Sequence, residues 1–341
     1  MLSAADVGRV ERLVALRSFP GWRNLPSSEL MAMVEIATAL RVPRGTRLLH
    51  DGQRVDRMYL VVEGEMRLTR GGHELGRFGP YSGVGGLAAF ARDERGYDCD
   101  ALEDSVVLEM RAHDLEEVLE ERFLILSSAI ANLCRQAIQN RLRLHPDAGF
   151  PEVAEPGAPC PARPLDLVEK VAHLRGNIGL GHGRIDALVA VAREVDEVRL
   201  VHGTELWAEG DRAETVLAIV CGTIEGRTGA GHHFRVGAGD FCGSLEALSG
   251  TPRWFSARVD EGLVGLRLRM DRLLDVLEDH RDLGLDLLQA ISAGLLSVID
   301  QTSATQPPTR LHEQPDIAED APVEGVDERD DAPGREVEEH G

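Results

Sequence analysis

Two arginines stand ten residues after a glycine in the same local setting. In "GVGGLAAFARDERGY" the pair is Gly85 and Arg95; in "DFCGSLEALSGTPRW" it is Gly243 and Arg253. A glycine turn leading into a short helical stretch presents backbone N–H groups, and an arginine beside them adds a fixed positive charge. That grouping is suited to holding an anion, above all a phosphate. Gly86 and Ser244 follow the two glycines and complete each candidate cradle. Glu246 lies two residues beyond Ser244 and reads as a solvated helix position.

Other chemistry finds little support. No nucleophile–base pair, metal motif or Walker sequence is present, so the chain does not read as an enzyme. The five cysteines (Cys99, Cys134, Cys160, Cys221 and Cys242) are scattered without a CxxC pair. This argues against zinc, an iron–sulfur cluster or a disulfide scaffold, and Cys221 and Cys242 are expected to pack in the interior. His232 and His233 are neighbours on an expected strand and so face opposite ways, which argues against a shared metal.

Charge narrows the partners. The net charge is −21, and the last forty residues supply −9 of it from twelve acids against three arginines. Lys170 is the sole lysine. A body this acidic repels nucleic acid unless its basic groups cluster, and no cluster is visible. No apolar run reaches the length of a bilayer span, and the charged N-terminal "MLSAADVGRVERLVALRSF" lacks the pattern of a secretory signal. The expectation is a cytoplasmic protein, with no membrane and no nucleic acid among its partners.

The two cradles belong to a larger repeat. Residues 45–119 match residues 203–277 at a gapless offset of 158, with 21 of 75 positions identical. Gly64 falls on Gly222, Gly79 on Gly237, Gly85 on Gly243 and Arg95 on Arg253. Recurrent glycines mark positions of positive φ or close approach. The period is too long for a solenoid unit, so it denotes two copies of one domain.

Each copy carries the same elements in order. A helix comes first, over 27–40 with a capping start at Ser27-Ser28-Glu29, and over 184–195. Short alternating segments follow, with two strands around a tight glycine turn in "DRMYLVVEGEMRLTR" and "ETVLAIVCGTIEGRT". Such spacing suggests a small antiparallel roll. Long amphipathic helices over 116–143 and 272–300 close the copies and offer apolar stripes for packing between copies or between chains. The predicted fold is α+β: two tandem jelly-roll-like β-rolls flanked by helices. The divisions are 1–143, a Pro-rich linker at 144–164, 165–301, and a disordered acidic tail at 302–341.

In this order of elements the chain resembles the cyclic nucleotide-binding domain family. "GTELWAEGDRAETVLAIVCGTIEGR", "GDFCGSLEALSGTPR" and "GTRLLHDGQRVDRMYLVVEGEMRL" carry the resemblance, over roughly 19–140 and 167–300. By that resemblance Gly85, Gly86, Arg95, Gly243, Ser244 and Arg253 are the ligand positions, and the two arginines are the phosphate ligands. The family places a glutamate for the ribose 2′-hydroxyl where this chain has Gly86 and Ser244. A hydrogen bond to a charged group contributes about 1.5–3 kcal/mol, so its loss is large. Gly96-Tyr97 and Trp254-Phe255 stand where the family has small residues, and the Trp254 ring either blocks the ligand or stacks on it. Residual binding is expected in the first copy, where Gly96 is small.

Four functions are compatible in principle. A non-enzymatic regulatory or scaffold protein with degenerate sites and no cofactor is favoured, its partner a protein or a second copy through the long helices. A genuine sensor, with a cyclic nucleotide as ligand, is the alternative. A transcription regulator similar to the bacterial cyclic AMP receptor protein would need a helix-turn-helix, and the acidic C-terminal segment does not supply one. An enzyme is the remotest.

Overall fold

The computed structural model describes residues 3–4, 7–143, 160–177, 180–181 and 183–303. The linker over 144–159 and the tail beyond Ser303 therefore lie outside the described residues. The first copy runs β1 (Ser3–Ala4), α1 (Arg9–Arg17), α2 (Ser27–Ile36), β2 (Thr38–Val42), β3 (Arg47–Leu49), β4 (Arg57–Glu63), β5 (Met66–Arg70), β6 (His73–Phe78) and β7 (Gly83–Val84). It continues with α3 (Gly86–Phe90), β8 (Asp98–Ala101), β9 (Ser105–Arg111), α4 (Ala112–Glu121) and α5 (Phe123–Arg143). The second runs α6 (Leu167–Gly176), α7 (Ile185–Glu194), β10 (Asp196–Leu200), β11 (Glu205–Trp207), β12 (Thr215–Cys221), β13 (Ile224–Arg227), β14 (His233–Val236) and β15 (Phe241–Cys242). It ends with α8 (Ser244–Ser249), β16 (Ser256–Val259), β17 (Leu263–Arg269), α9 (Met270–Asp279) and α10 (Arg281–Ser303).

Both copies fold the same way. The sheets are ordered β2-β9-β4-β7 and β3-β8-β5-β6 in the first, β10-β17-β12-β15 and β11-β16-β13-β14 in the second; β1 extends the first sheet beside β2. The irregularity in the central ladder also repeats at the offset of 158. The β4–β9 register shifts between Val61 and Glu63, and the β12–β17 register between Ile219 and Cys221. Gly64 and Gly222 turn at φ 94° and 84°. A Cβ on Gly64 would lie 2.1 Å from the Ser105 hydroxyl, and one on Gly222 2.4 Å from the Gly262 carbonyl oxygen. The repeated glycines are thus requirements of the turn.

Period-two alternation divides the first roll between two cores. Met58 and Leu60 of β4 join the helical cluster with Leu16, Leu30 and Met33, while Tyr59 and Val61 face the roll interior with Met66 and Val107.

The long helices depart from the expectation in two ways. Each is broken, at Arg122 and at His280, into a short and a long piece. Each long piece also crosses to the other copy. Leu296 of α10 is buried in the interior core of the first roll, and Ile138 of α5 in that of the second. These two positions are equivalent under the repeat. The helices pass at Gly284, where a Cβ would lie 2.8 Å from a Leu126 methyl, and these positions are also equivalent. The apolar stripes are therefore used between the copies. Over Arg281–Asp300 α10 has the length and composition of a membrane span, contrary to the sequence reading, but its apolar residues Leu283, Leu288, Leu295 and Leu296 are buried in the protein.

Smaller expectations are corrected too. The first helix stops at Ile36 and residues 38–40 begin β2, because the run "TALRV" alternates toward β9. Its cap is Pro26 with no side-chain bond, so Ser27 is already helical. Helix α10 runs two residues past the expected tail boundary. Cys160 and Cys221 form a disulfide with Cα atoms 5.3 Å apart, joining the segment before α6 to the end of β12. The scattered spacing had argued against such a bond, and proximity in space overrides it.

Candidate functional site

In the first cradle Gly85 turns at φ 94° directly beneath β4; a Cβ there would lie 2.3 Å from the Arg57 carbonyl oxygen. Its N–H is already taken: it donates to the Tyr97 hydroxyl at 2.9 Å. Tyr97 is buried, and burial raises its phenol above the usual range, so the ring stays neutral. The ribose-acid position is occupied as well, since a Cβ on Gly86 would lie 2.6 Å from the Met58 sulfur.

Arg95 is 60% exposed and doubly held. Its Nε lies 2.9 Å from Asp93, and an Nη lies 2.9 Å from Asp300 on α10. Arg70 sits beside it, bonding Asp93 at 2.8 Å, Asp300 at 2.6 Å and the Gly96 carbonyl at 2.8 Å, with its guanidinium 5.7 Å from the Tyr97 ring centre. Two cations and two carboxylates so form one network, and one of the carboxylates comes from the other copy. Burial opposes charge on Asp93, but its hydrogen bonds from Arg95 and the charges of Arg70 and Arg95 outweigh this and hold its carboxyl below the usual range. Gly96 is small for a local reason: it turns at φ 59°, and a Cβ would meet the Gln53 carbonyl oxygen at 2.0 Å.

The second cradle is closed inward. Arg253 is 3% exposed. It donates to the Gly243 carbonyl at 3.0 Å, to Glu246 at 3.2 Å and to the Thr215 carbonyl at 2.6 Å, and its guanidinium lies 3.9 Å from the Trp207 ring centre. Gly243 is required by this arrangement, because a Cβ would lie 2.3 Å from an Arg253 nitrogen. Glu246 is 1% exposed, which corrects the solvated reading. Trp254 neither caps an opening nor faces solvent. It stacks on Phe234 at 5.4 Å and meets Phe255 edge-on at 4.8 Å, so aromatic rings fill the roll. Ser244 opens α8, and its neighbour Leu245 packs against these interior cores.

Burial raises the Glu246 carboxyl above its ordinary range, and the charge of Arg253 only partly opposes this. A raised folded pKa means that the wild type loses stability as pH climbs from the unfolded value toward the folded one. Glu246→Gln does not ionise. The variant should therefore gain on the wild type as pH rises above the ordinary carboxylate range, read as the difference in urea midpoints; a difference independent of pH counts against a raised carboxyl.

Residues 39–122 match the cyclic nucleotide-binding domain family. That span runs from β2 to the end of α4 in the first roll. No curated protein matches the chain. Among solved structures, the regulatory subunit of a cAMP-independent protein kinase A from Trypanosoma cruzi, bound to guanosine, is 13% identical over 90% of this chain and 96% of that one, with a TM-score of 0.33. The corresponding subunit from Trypanosoma brucei, a variant bound to cAMP, is 15% identical over 81% and 92%, TM-score 0.33. The N-terminal domain of a transcriptional regulator from Streptomyces coelicolor A3(2) is 23% identical over 37% of this chain and 94% of its own, TM-score 0.34.

The structure brings Gly243 and Arg253 into contact, with Ser244 next in the chain, whereas Gly85 and Gly86 lie against β4 and Arg95 is bonded to Asp93 and Asp300. Sequence reasoning marked Tyr97 as an unusual side chain but missed its bond to Gly85. Asp93 carried a local signal, an acid two residues before Arg95. Asp300 carried none, because only the path of α10 brings it there.

Proposed function

We propose that the chain is a non-enzymatic regulatory or scaffold protein built from two cyclic nucleotide-binding-like units, 1–143 and 165–301, whose cradles are filled by its own side chains. One observation carries this reading: the Gly85 amide and the Arg95 guanidinium, which would meet a cyclic phosphate, are engaged by Tyr97 and by Asp93 and Asp300. Burial of Arg253 beside Glu246 extends the argument to the second unit. A protein partner is the natural reader of such a body, in a cytoplasmic setting without nucleic acid or membrane, and the crossed helices give it one rigid surface from two units.

The alternative, a true sensor, is favoured by the exposure of Arg95, since a phosphate could replace the Asp300 carboxylate there. Titration calorimetry with cyclic AMP, cyclic GMP and cyclic dinucleotides separates the two. The wild type is expected to bind each more weakly than about 1 μM. Tyr97→Ala combined with Asp300→Ala frees the amide and the Asp300 side of the guanidinium, and should tighten cyclic AMP binding at least about tenfold, the scale of one charge-assisted hydrogen bond. Tight wild-type binding that Arg95→Ala abolishes would establish the sensor instead.

A further inference from the structure

A cleft of about 450 Å³ opens on the helical side of the first roll, behind β4 and away from Arg95. Its walls come from the loop after α1, the turn between β6 and β7, the start of α3 and the middle of α5. Three features set it apart. First, it gathers Phe19, Trp22, Phe78, Tyr81 and Phe90, five of the fourteen aromatic residues in the whole chain. Second, none of its twenty-three lining residues is acidic, although 58 acids in 341 residues would put about four there. Third, α5 turns a row of carboxamides and a cation into it: Asn132, Gln136, Gln139, Asn140 and Arg143.

These polar groups are half-buried or at the rim. The side chains of Asn132, Gln136 and Gln139 have no hydrogen-bond partner among the described residues, and Arg143 has no ion-pair partner there. Spacings of three and four residues place them on one face of the helix. At the mouth Tyr81 holds φ 65°, a costly conformation for an aromatic residue, and is 53% exposed while meeting Phe19 edge-on at 6.4 Å. The volume is that of a small-molecule site, with apolar walls and a few convergent polar groups.

We propose that this cleft binds a flat aromatic or heteroaromatic small molecule carrying one negative group. The rings of Phe19, Trp22 and Phe90 take its faces, the carboxamides of α5 take its ring heteroatoms, and Arg143 takes its charge. A lining without acids admits an anion that the rest of this protein repels. Of the cradle residues only Gly86 lines the cleft; Gly85, Arg95 and the whole second cradle do not, so the proposal does not rest on nucleotide binding there.

Two fluorescent probes of one ring system test it on the full chain: anionic 8-anilinonaphthalene-1-sulfonate and neutral N-phenyl-1-naphthylamine. The anion should bind one per chain and tighter than the neutral probe. Arg143→Gln should weaken the anion about three- to tenfold and leave the neutral probe unchanged, as expected for one charged contact near the surface. Gln136→Trp and Ala129→Phe, which fill the cleft from α5, should weaken both at least about tenfold; whichever melts as the wild type is read. Arg95→Ala should change neither. The proposal is overturned by absence of wild-type binding, by Arg143→Gln leaving the anion unaffected, by a folded plug variant that still binds, or by loss on Arg95→Ala, which would place the probe in the cradle. Binding that appears only after truncation behind Ser303 would assign the cleft to the chain's own C-terminal segment and overturn it equally.

Discussion

Replacing Arg253 with leucine should destabilise the protein by about 3–5 kcal/mol, the usual cost of leaving one member of a buried ion pair alone. The guanidinium is almost wholly enclosed and serves Glu246 and the carbonyls of Gly243 and Thr215 at once. Leucine would take that donor away from a buried carboxyl group and from two carbonyls at once. The equivalent change Arg95→Leu should cost less than about 1 kcal/mol, because that side chain is largely exposed and its ion pairs are screened. Urea denaturation of the two variants makes the comparison. An arginine kept only for a ligand would be dispensable for folding at both positions, so equal and small effects would refute the structural role of Arg253.

The second large effect concerns the crossed helices. Leu296→Ala should cost about 2–5 kcal/mol, as for any fully enclosed leucine, yet the damage should fall on the first roll. Ile138→Ala should do the reverse and loosen the second. Amide hydrogen exchange resolves this by segment: Leu296→Ala should speed exchange in β4 and β9 more than in β12 and β17, with the opposite order for Ile138→Ala. If each variant loosened the roll of its own copy, the crossing would not carry the coupling described. The same crossing brings Asp300 to Arg95, and it sets Arg141 of α5 close enough to Glu246 and Asp240 for their charges to act on it. The last turns of each long helix therefore lie beside charged residues of the other copy's cradle.

Much of this architecture was legible before any coordinates. The gapless repeat required two copies of one fold, and strand order and both bulges repeat accordingly, because glycines at fixed offsets impose the same turns and alternating residues the same sheet faces. The ten-residue spacing from glycine to arginine also marked a pair that meets in the second copy, where Arg253 donates to the Gly243 carbonyl. Local signals failed where two elements shared one run: "IATAL" continues an apolar helix pattern, and pairing with β9 was needed to end the helix at Ile36.

The state of the cradles was decided by tertiary structure alone. Arg95 and Arg253 occupy equivalent places in sequence, yet one is exposed and bridged by a carboxylate from the other copy, while the other is enclosed with Glu246. Nothing local distinguishes a solvated Glu246 from a buried one, or an Asp300 at the end of a helix from a partner of Arg95. Amphipathic periodicity reports that a helix has an apolar face, but not which surface that face will meet. Contacts across more than two hundred residues depend on how two finished units dock, and a disulfide between Cys160 and Cys221 depends on the same proximity. Sequence patterns act over a few turns of chain; burial, which sets both the pairing of charges and the space left for a ligand, is a property of the packed whole.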